Sequence, residues 1–169
     1  MTEENLSHQE GIQKLKELSE DARICMFCTE LDEQPIMARP MSLRETDADG
    51  NLWFISKSNS NKNVDIKQDS RVQLFFMDND DLNYLSVYGE AHIYHDKNTI
   101  EEKWTPIANA WFEGKDDPTV SVIRVSPSSC YYWNSENGTF VSFLKIIAKS
   151  ITGSKDSGDG EKGKIALNH

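Results

Sequence analysis

Apolar residues recur along the first part of the chain at helical spacing and then switch to alternation. Ile12, Leu15 and Leu18 predict an amphipathic helix over residues 8–20, and Ser7 with Glu10 has the spacing of a capping box at its start. From Ala22 the period shortens to two. Residues 22–30 and 35–44 read as strands joined by the polar turn Asp32-Glu33-Gln34, and residues 51–57 (NLWFISK) as a third strand after the Asp49-Gly50 turn, a short meander. A polar loop, Ser58 to Lys62, leads into a short helix over 63–68. Strands follow at 72–77 and 82–95, with Gly89 where a bulge would fall. The stretch 96–104 is helical up to Pro106, 108–112 is a further helical turn, 120–125 alternates as a sixth strand, and 130–133 reads as an extension of the sheet. Phe140, Leu144, Ile147 and Ile151 predict a helix over 140–151, and the Gly, Ser, Lys and Asp of 152–169 a flexible tail. Six or seven strands with flanking helices make residues 1–151 one mainly β domain, a small antiparallel barrel.

Charge narrows the range of partners. The formal net charge of −10 repels nucleic acid and anionic membranes, although a few local cations still suffice for a small phosphate. No apolar run reaches the roughly 18 residues of a membrane span, and the polar, acidic start lacks the features of a secretion signal, so a cytoplasmic protein is expected. Cys25 and Cys28 form a C-x-x-C, but on a strand residues three apart point to opposite faces. With no second cysteine or histidine pair to complete a metal site, they and Cys130 read as buried small hydrophobes. His92 and His95 read as structural or exposed, and no catalytic acid–base set is evident.

Three stretches are chemically unusual for a plain barrel. Arg39-Pro40-Met41 puts a planar guanidinium beside a proline that marks a sheet edge. Ser56-Lys57-Ser58-Asn59-Ser60-Asn61-Lys62 gathers hydroxyls, amides and lysines where a helix begins, an arrangement suited to an anion. Trp104 and Trp111 supply flat apolar surface for a cofactor, a core or an interface. Taken singly, each has an ordinary reading: a surface arginine, a helix cap, a packed tryptophan.

Taken in order, they carry a resemblance. R-P-M, a D-x-D-G turn, L-W-F-I-S, the S-x-S-N-K loop, V-x-L-F-F, Y-x-S-V-x-G-x-A and A-W-F-x-G-x-D-D-P resemble the general stress protein branch of the pyridoxamine 5'-phosphate oxidase-like split β-barrels. The resemblance implies a homodimer binding flavin mononucleotide (FMN) between protomers. It implies Arg39, Pro40 and Met41 along the cofactor, Ser56 and Lys57 at the flavin, Ser60, Asn61 and Lys62 on the phosphate, and Trp111 contributed by the partner. It implies an FMN oxidoreductase or, alternatively, a non-catalytic flavin-binding protein; related barrels extend the choice to a deazaflavin or haem, and a ligand-free scaffold is a further reading. Oxidation of pyridoxamine 5'-phosphate itself is not expected, because the family's substrate arginines have no counterpart after Arg124.

Overall fold

The computed structural model describes the backbone of residues 3–136, 139–141 and 161–166, and the side chains of residues 8–133. Helix α1 (Glu3–Ala22) precedes β1 (Ile24–Thr29), β2 (Met37–Ser42), β3 (Glu45–Thr46) and β4 (Leu52–Lys57). Helix α2 (Asn61–Gln68), β5 (Arg71–Asp78), β6 (Asn83–Tyr94) and α3 (Lys97–Lys103) follow. After a 3-10 turn (Pro106–Ala110) come the long β7 (Val120–Glu136), β8 (Thr139–Val141) and β9 (Glu161–Ala166).

One antiparallel sheet results, its main path ordered β2-β1-β5-β6-β7-β4-β3, with β8 and β9 also on β7. β2 and β3 form its two edges, yet only Leu43 and Arg44 separate them in sequence. Leu43 donates its N–H to the Arg23 carbonyl and Arg44 to that of Trp53, both at 2.7 Å, so the sheet curls until its edges meet. Since β3 has only two residues, most of β4 faces β2 across an open groove with no ladder between them. This is the split barrel that the motifs imply.

The expected meander therefore breaks after β2: β4 pairs with β7. The reason is that β4 is apolar on both faces. Leu52 and Phe54 point into the barrel core, while Trp53 and Ile55 join a second cluster outside the sheet. Beside β7 both faces are covered. In the core, Phe27 and Phe54 meet edge to face at 5.4 Å, and Leu15 and Leu18 of α1 close one end. Each large side chain buried there contributes about 1.5–3 kcal/mol. The second cluster packs Ile100 of α3, with Ala108 and Phe112, against Val120 and Val122. It fixes the 3-10 turn beside the groove.

Two glycines, one in a turn and one inside β6, behave as expected. Gly50 has φ +86°. At Gly89 the β6–β7 register shifts, pairing Tyr88 with Ser129 and Gly89 with Pro127, so Ser128 is the extra residue of a bulge. A Cβ on Gly89 would lie 2.3 Å from the Ser126 carbonyl oxygen.

Other boundaries differ from the sequence reading. Helix α1 begins at Glu3, so Ser7 lies inside it instead of capping it. The strands expected at 120–125 and 130–133 are one strand, kept continuous by the bulge. Phe140 belongs to β8 instead of a helix, and residues 142–151 of that expected helix lie outside the described residues. Within the expected flexible tail, Glu161–Ala166 pairs with Ser129–Asn134 of β7. The pairing follows from an open edge, since β4 covers β7 only from Val120 to Val125. No helix among the described residues is long and apolar enough to cross a membrane.

On the outer face of β1 and β5, Ile24, Met26, Phe75 and Met77 are exposed, with Met26 directly opposite Phe75. Cys25, Cys28 and Cys130 are all buried and free. Burial pushes the thiol pKa of each upward, for Cys28 against the opposing pull of Arg39. His92 and His95 are exposed, and no group of three potential ligands among the described residues could hold a metal ion.

Candidate functional site: the groove at the barrel split

The groove encloses about 900 Å³. Pro40 and Met41 of β2 form one wall, and Ser56 and Lys57 of β4 the other. Ser60 and Lys62 lie at the start of α2, and Trp111 on the flank beyond the 3-10 turn. Seven of the nine residues singled out from the sequence thus meet in one cavity. Arg39 and Asn61 do not line it. Trp111, which the resemblance assigns to a partner protomer, lines the groove of its own chain.

Lys62 is the central group. Ser60 caps α2, accepting the Asn63 N–H at 3.3 Å, and this cap turns Lys62 inward to only 6% exposure. Its Nζ donates to Ser56 Oγ at 2.6 Å and to Ser60 Oγ at 3.4 Å, and it has no ion pair among the described residues. Burial is the main cause that lowers its pKa to about 8; Arg39 adds to the effect and Asp65 opposes it. A buried ammonium satisfied only by hydroxyls is a charge without a counter-ion.

Beneath it lies a polar layer. Asn63 Oδ1 accepts from Ser56 Oγ at 3.0 Å and Ser60 Oγ at 3.1 Å, while its Nδ2 donates to Ser121 Oγ at 2.9 Å. Ser121 in turn donates to the Ser56 carbonyl at 2.9 Å, tying α2 to β4 and β7. Arg39 is already engaged: it donates to Thr29 Oγ1 at 2.7 Å, to the Phe27 carbonyl at 3.2 Å and to Asp65 Oδ2 at 3.1 Å. Thr29 also donates to Asp65 Oδ2, at 2.7 Å. The arginine therefore stands behind the groove, close enough to lower the Lys62 pKa.

Sequence reasoning missed Thr29, Asn63, Asp65 and Ser121. Asp65 follows Lys62 by three residues, a spacing that puts both on one helix face and was the available signal. Thr29 and Ser121 sit on strands distant in sequence and gave none. The lining also carries Arg23, Arg44, Lys57 and Lys62 against only Glu20 and Glu45, an excess of positive charge in a chain whose net charge is −10.

Known proteins share this fold. Protein bli-3 of Neurospora crassa is 28% identical over 70% of this chain and 61% of its own length. General stress protein 26 of Bacillus subtilis is 30% identical over 35% of this chain and 42% of its own length. The chain thus spans less than two thirds of either relative. The crystal structure of the general stress FMN/FAD binding protein of Xanthomonas citri superposes with a TM-score of 0.63 at 25% identity, covering 82% of this chain and 95% of that one. A family model described as pyridoxamine 5'-phosphate oxidase like matches residues 10–157. By that match over most of its length, the chain belongs to the pyridoxamine 5'-phosphate oxidase-like family.

Proposed function

We propose that the chain binds FMN in the groove between β2 and β4, acts as a homodimer, and uses the flavin to pass electrons to or from a small molecule. The carrying observation is Lys62, a buried cation whose only partners among the described residues are two hydroxyls, at the first turn of a helix that opens on a large cavity. A phosphoryl group supplies the missing negative charge, and Ser56, Ser60 and the start of α2 supply further donors. Asn61 and Lys57 flank that end. Arg39, held by Asp65 and Thr29, adds positive potential from behind.

The middle of the groove suits a flat ring. Pro40, Met41 and Ile55 offer apolar walls, and Trp111 and Phe112 cover them from the 3-10 side. Bound flavin supplies one- and two-electron redox chemistry, which the protein orients and shields. Among the described residues the cavity lining contains no histidine, cysteine or tyrosine. The residues present bind and exclude water, and the electron chemistry falls to the cofactor. The exposed apolar face of Ile24, Met26, Phe75 and Met77 supports pairing with a second copy, since soluble monomers rarely leave such a contiguous patch uncovered.

Titrating FMN into the purified chain tests the reading. Saturable quenching of flavin fluorescence and a rise in Tm are expected; FMN that changes neither overturns it. Anaerobic addition of NADH or NADPH should bleach the visible flavin band, and a band untouched by both donors counts against turnover with nicotinamides. Diluting the protein to monomers should release the flavin if protomers share the site.

A further inference from the structure

The serines around Lys62 carry their protons on the wrong side for an anion. Ser56 Oγ and Ser60 Oγ accept from the Lys62 ammonium at 2.6 and 3.4 Å, and donate to Asn63 Oδ1 at 3.0 and 3.1 Å. The other acceptor within reach of the Ser56 hydroxyl, the Lys57 carbonyl, is at 3.4 Å. An ionised phosphoryl oxygen can only accept, so it needs the protons that Asn63 already holds.

The orientation of Asn63 follows from one backbone atom. The Ser56 carbonyl can only accept, so it takes the Ser121 proton at 2.9 Å and leaves Ser121 Oγ to accept in turn. Asn63 must then present Nδ2 to Ser121, at 2.9 Å, and Oδ1 to the two serines. Asn63 and Ser121 are both fully buried, and neither lines the groove.

The reversed arrangement is also complete. With the carboxamide turned over, Nδ2 has one proton for each of Ser56 Oγ and Ser60 Oγ, and Ser121 turns its own proton to Oδ1. A carboxamide is nearly symmetric in shape, so the same three separations serve. The Ser56 carbonyl keeps a ladder partner. Ser58 donates its N–H to the Thr119 carbonyl, which makes Ser56 and Ser121, two residues away in register, a hydrogen-bonded pair. Both serine protons, and the Lys62 protons that the serines had accepted, are then free for the groove.

We propose that Asn63 is the positioning residue of the anion site: its carboxamide turns over when a phosphoryl group enters, converting Ser56 and Ser60 from acceptors of Lys62 into donors to the ligand. No proton changes owner; three hydroxyls rotate and one amide flips. The ligand drives the change because only the reversed state offers it hydroxyl donors, while the resting state keeps the empty groove satisfied. The proposal deepens the FMN reading and rests on it only for what carries the phosphate.

Nuclear Overhauser contacts of the Asn63 side-chain amide protons, in isotope-labelled protein, test it. In the cofactor-free chain these contacts are expected to the β protons of Ser121; with saturating FMN they should move to those of Ser56 and Ser60. Asn63→Asp has the same shape but, ionised, can only accept, and should weaken FMN about tenfold or more. Three results would each overturn the proposal: contacts that stay on Ser121 in the saturated complex, contacts already on Ser56 and Ser60 without ligand, or wild-type FMN affinity in Asn63→Asp. If Asn63→Asp does not fold, the contacts in the wild type decide alone. If FMN does not bind, inorganic phosphate takes its place. A swap of contacts with phosphate then sinks the FMN reading and keeps this one, and no swap sinks both.

Discussion

Two lysines in this molecule are equally buried and oppositely provided for. Lys62 and Lys103 are each 6% exposed. Lys103 has carboxylate partners in Glu45 and Glu102 and lies 4.2 Å from the centre of the Trp53 ring. Lys62 has two serine hydroxyls. Burial pulls both pKa values down, but at Lys103 the carboxylates outweigh it and the net shift is upward, whereas Lys62 falls to about 8. The difference separates a charge that holds the fold together from one left without a counter-ion among the described residues, the one proposed to meet a phosphate. Lys103 ties α3 to β3 and so sets the wall of the groove; Lys62 spends its charge inside it.

The comparison breaks most visibly in stability. Lys103→Met leaves Glu45 with only the longer contact to Arg44, 3.8 Å away, among the described residues and removes the contact with Trp53, and should cost about 1–3 kcal/mol in chemical denaturation. Lys62→Met removes an unpaired charge, so the cofactor-free protein should be no less stable than wild type, and equal losses in the two variants would erase the contrast. In flavin titrations the order reverses: Lys62→Met should weaken FMN by about 1.5–3 kcal/mol, the scale of a lost charge-assisted hydrogen bond.

The pH dependence sharpens the same contrast with a smaller effect. Lys62 has a lower pKa folded, about 8, than its ordinary 10.5, so the unfolded chain holds its proton more tightly. Its contribution to stability therefore rises as pH increases from about 8 towards 10.5, and is least favourable below that window. Lys103 has a raised folded pKa, so its contribution is complete below 10.5 and is lost as pH climbs through the folded value. Binding the FMN phosphate draws a proton onto Lys62 above its free pKa, so affinity should decline past about pH 8 in wild type and stay flat in Lys62→Met. The smallest effect is at Trp111, 60% exposed on the groove flank. Trp111→Ala should weaken FMN by about 0.5–1.5 kcal/mol, the range of one aromatic contact, without moving the pH profile.

Local pattern made much of this legible. The strands at 52–57 and 72–77, the turn at Asp49-Gly50 and the bulge at Gly89 each follow from apolar content or backbone freedom within a few residues. Lys62 was legible as a cation at a helix start, but its isolation was not. That depends on where Asp65 goes, and Asp65 turns to Arg39 and Thr29 through pairings between distant strands. The seating of β4 beside β7 was hidden for the same reason, since periodicity gives a strand its faces but not its neighbours. Strand β9 was hidden because its composition reads as a linker and only the uncovered stretch of β7 draws it into the sheet.

The unpaired flank of β2 also bears on how the protein avoids sticking to itself. A bare strand border is an adhesive template for any passing extended chain, and this one must stay bare for the groove to exist. Pro40, at its middle, carries no N–H to offer a newcomer. The same imino acid that lines the cavity thus keeps foreign strands from zipping it shut, and Pro40→Val would be expected to exchange a ligand slot for a nucleus of aggregation.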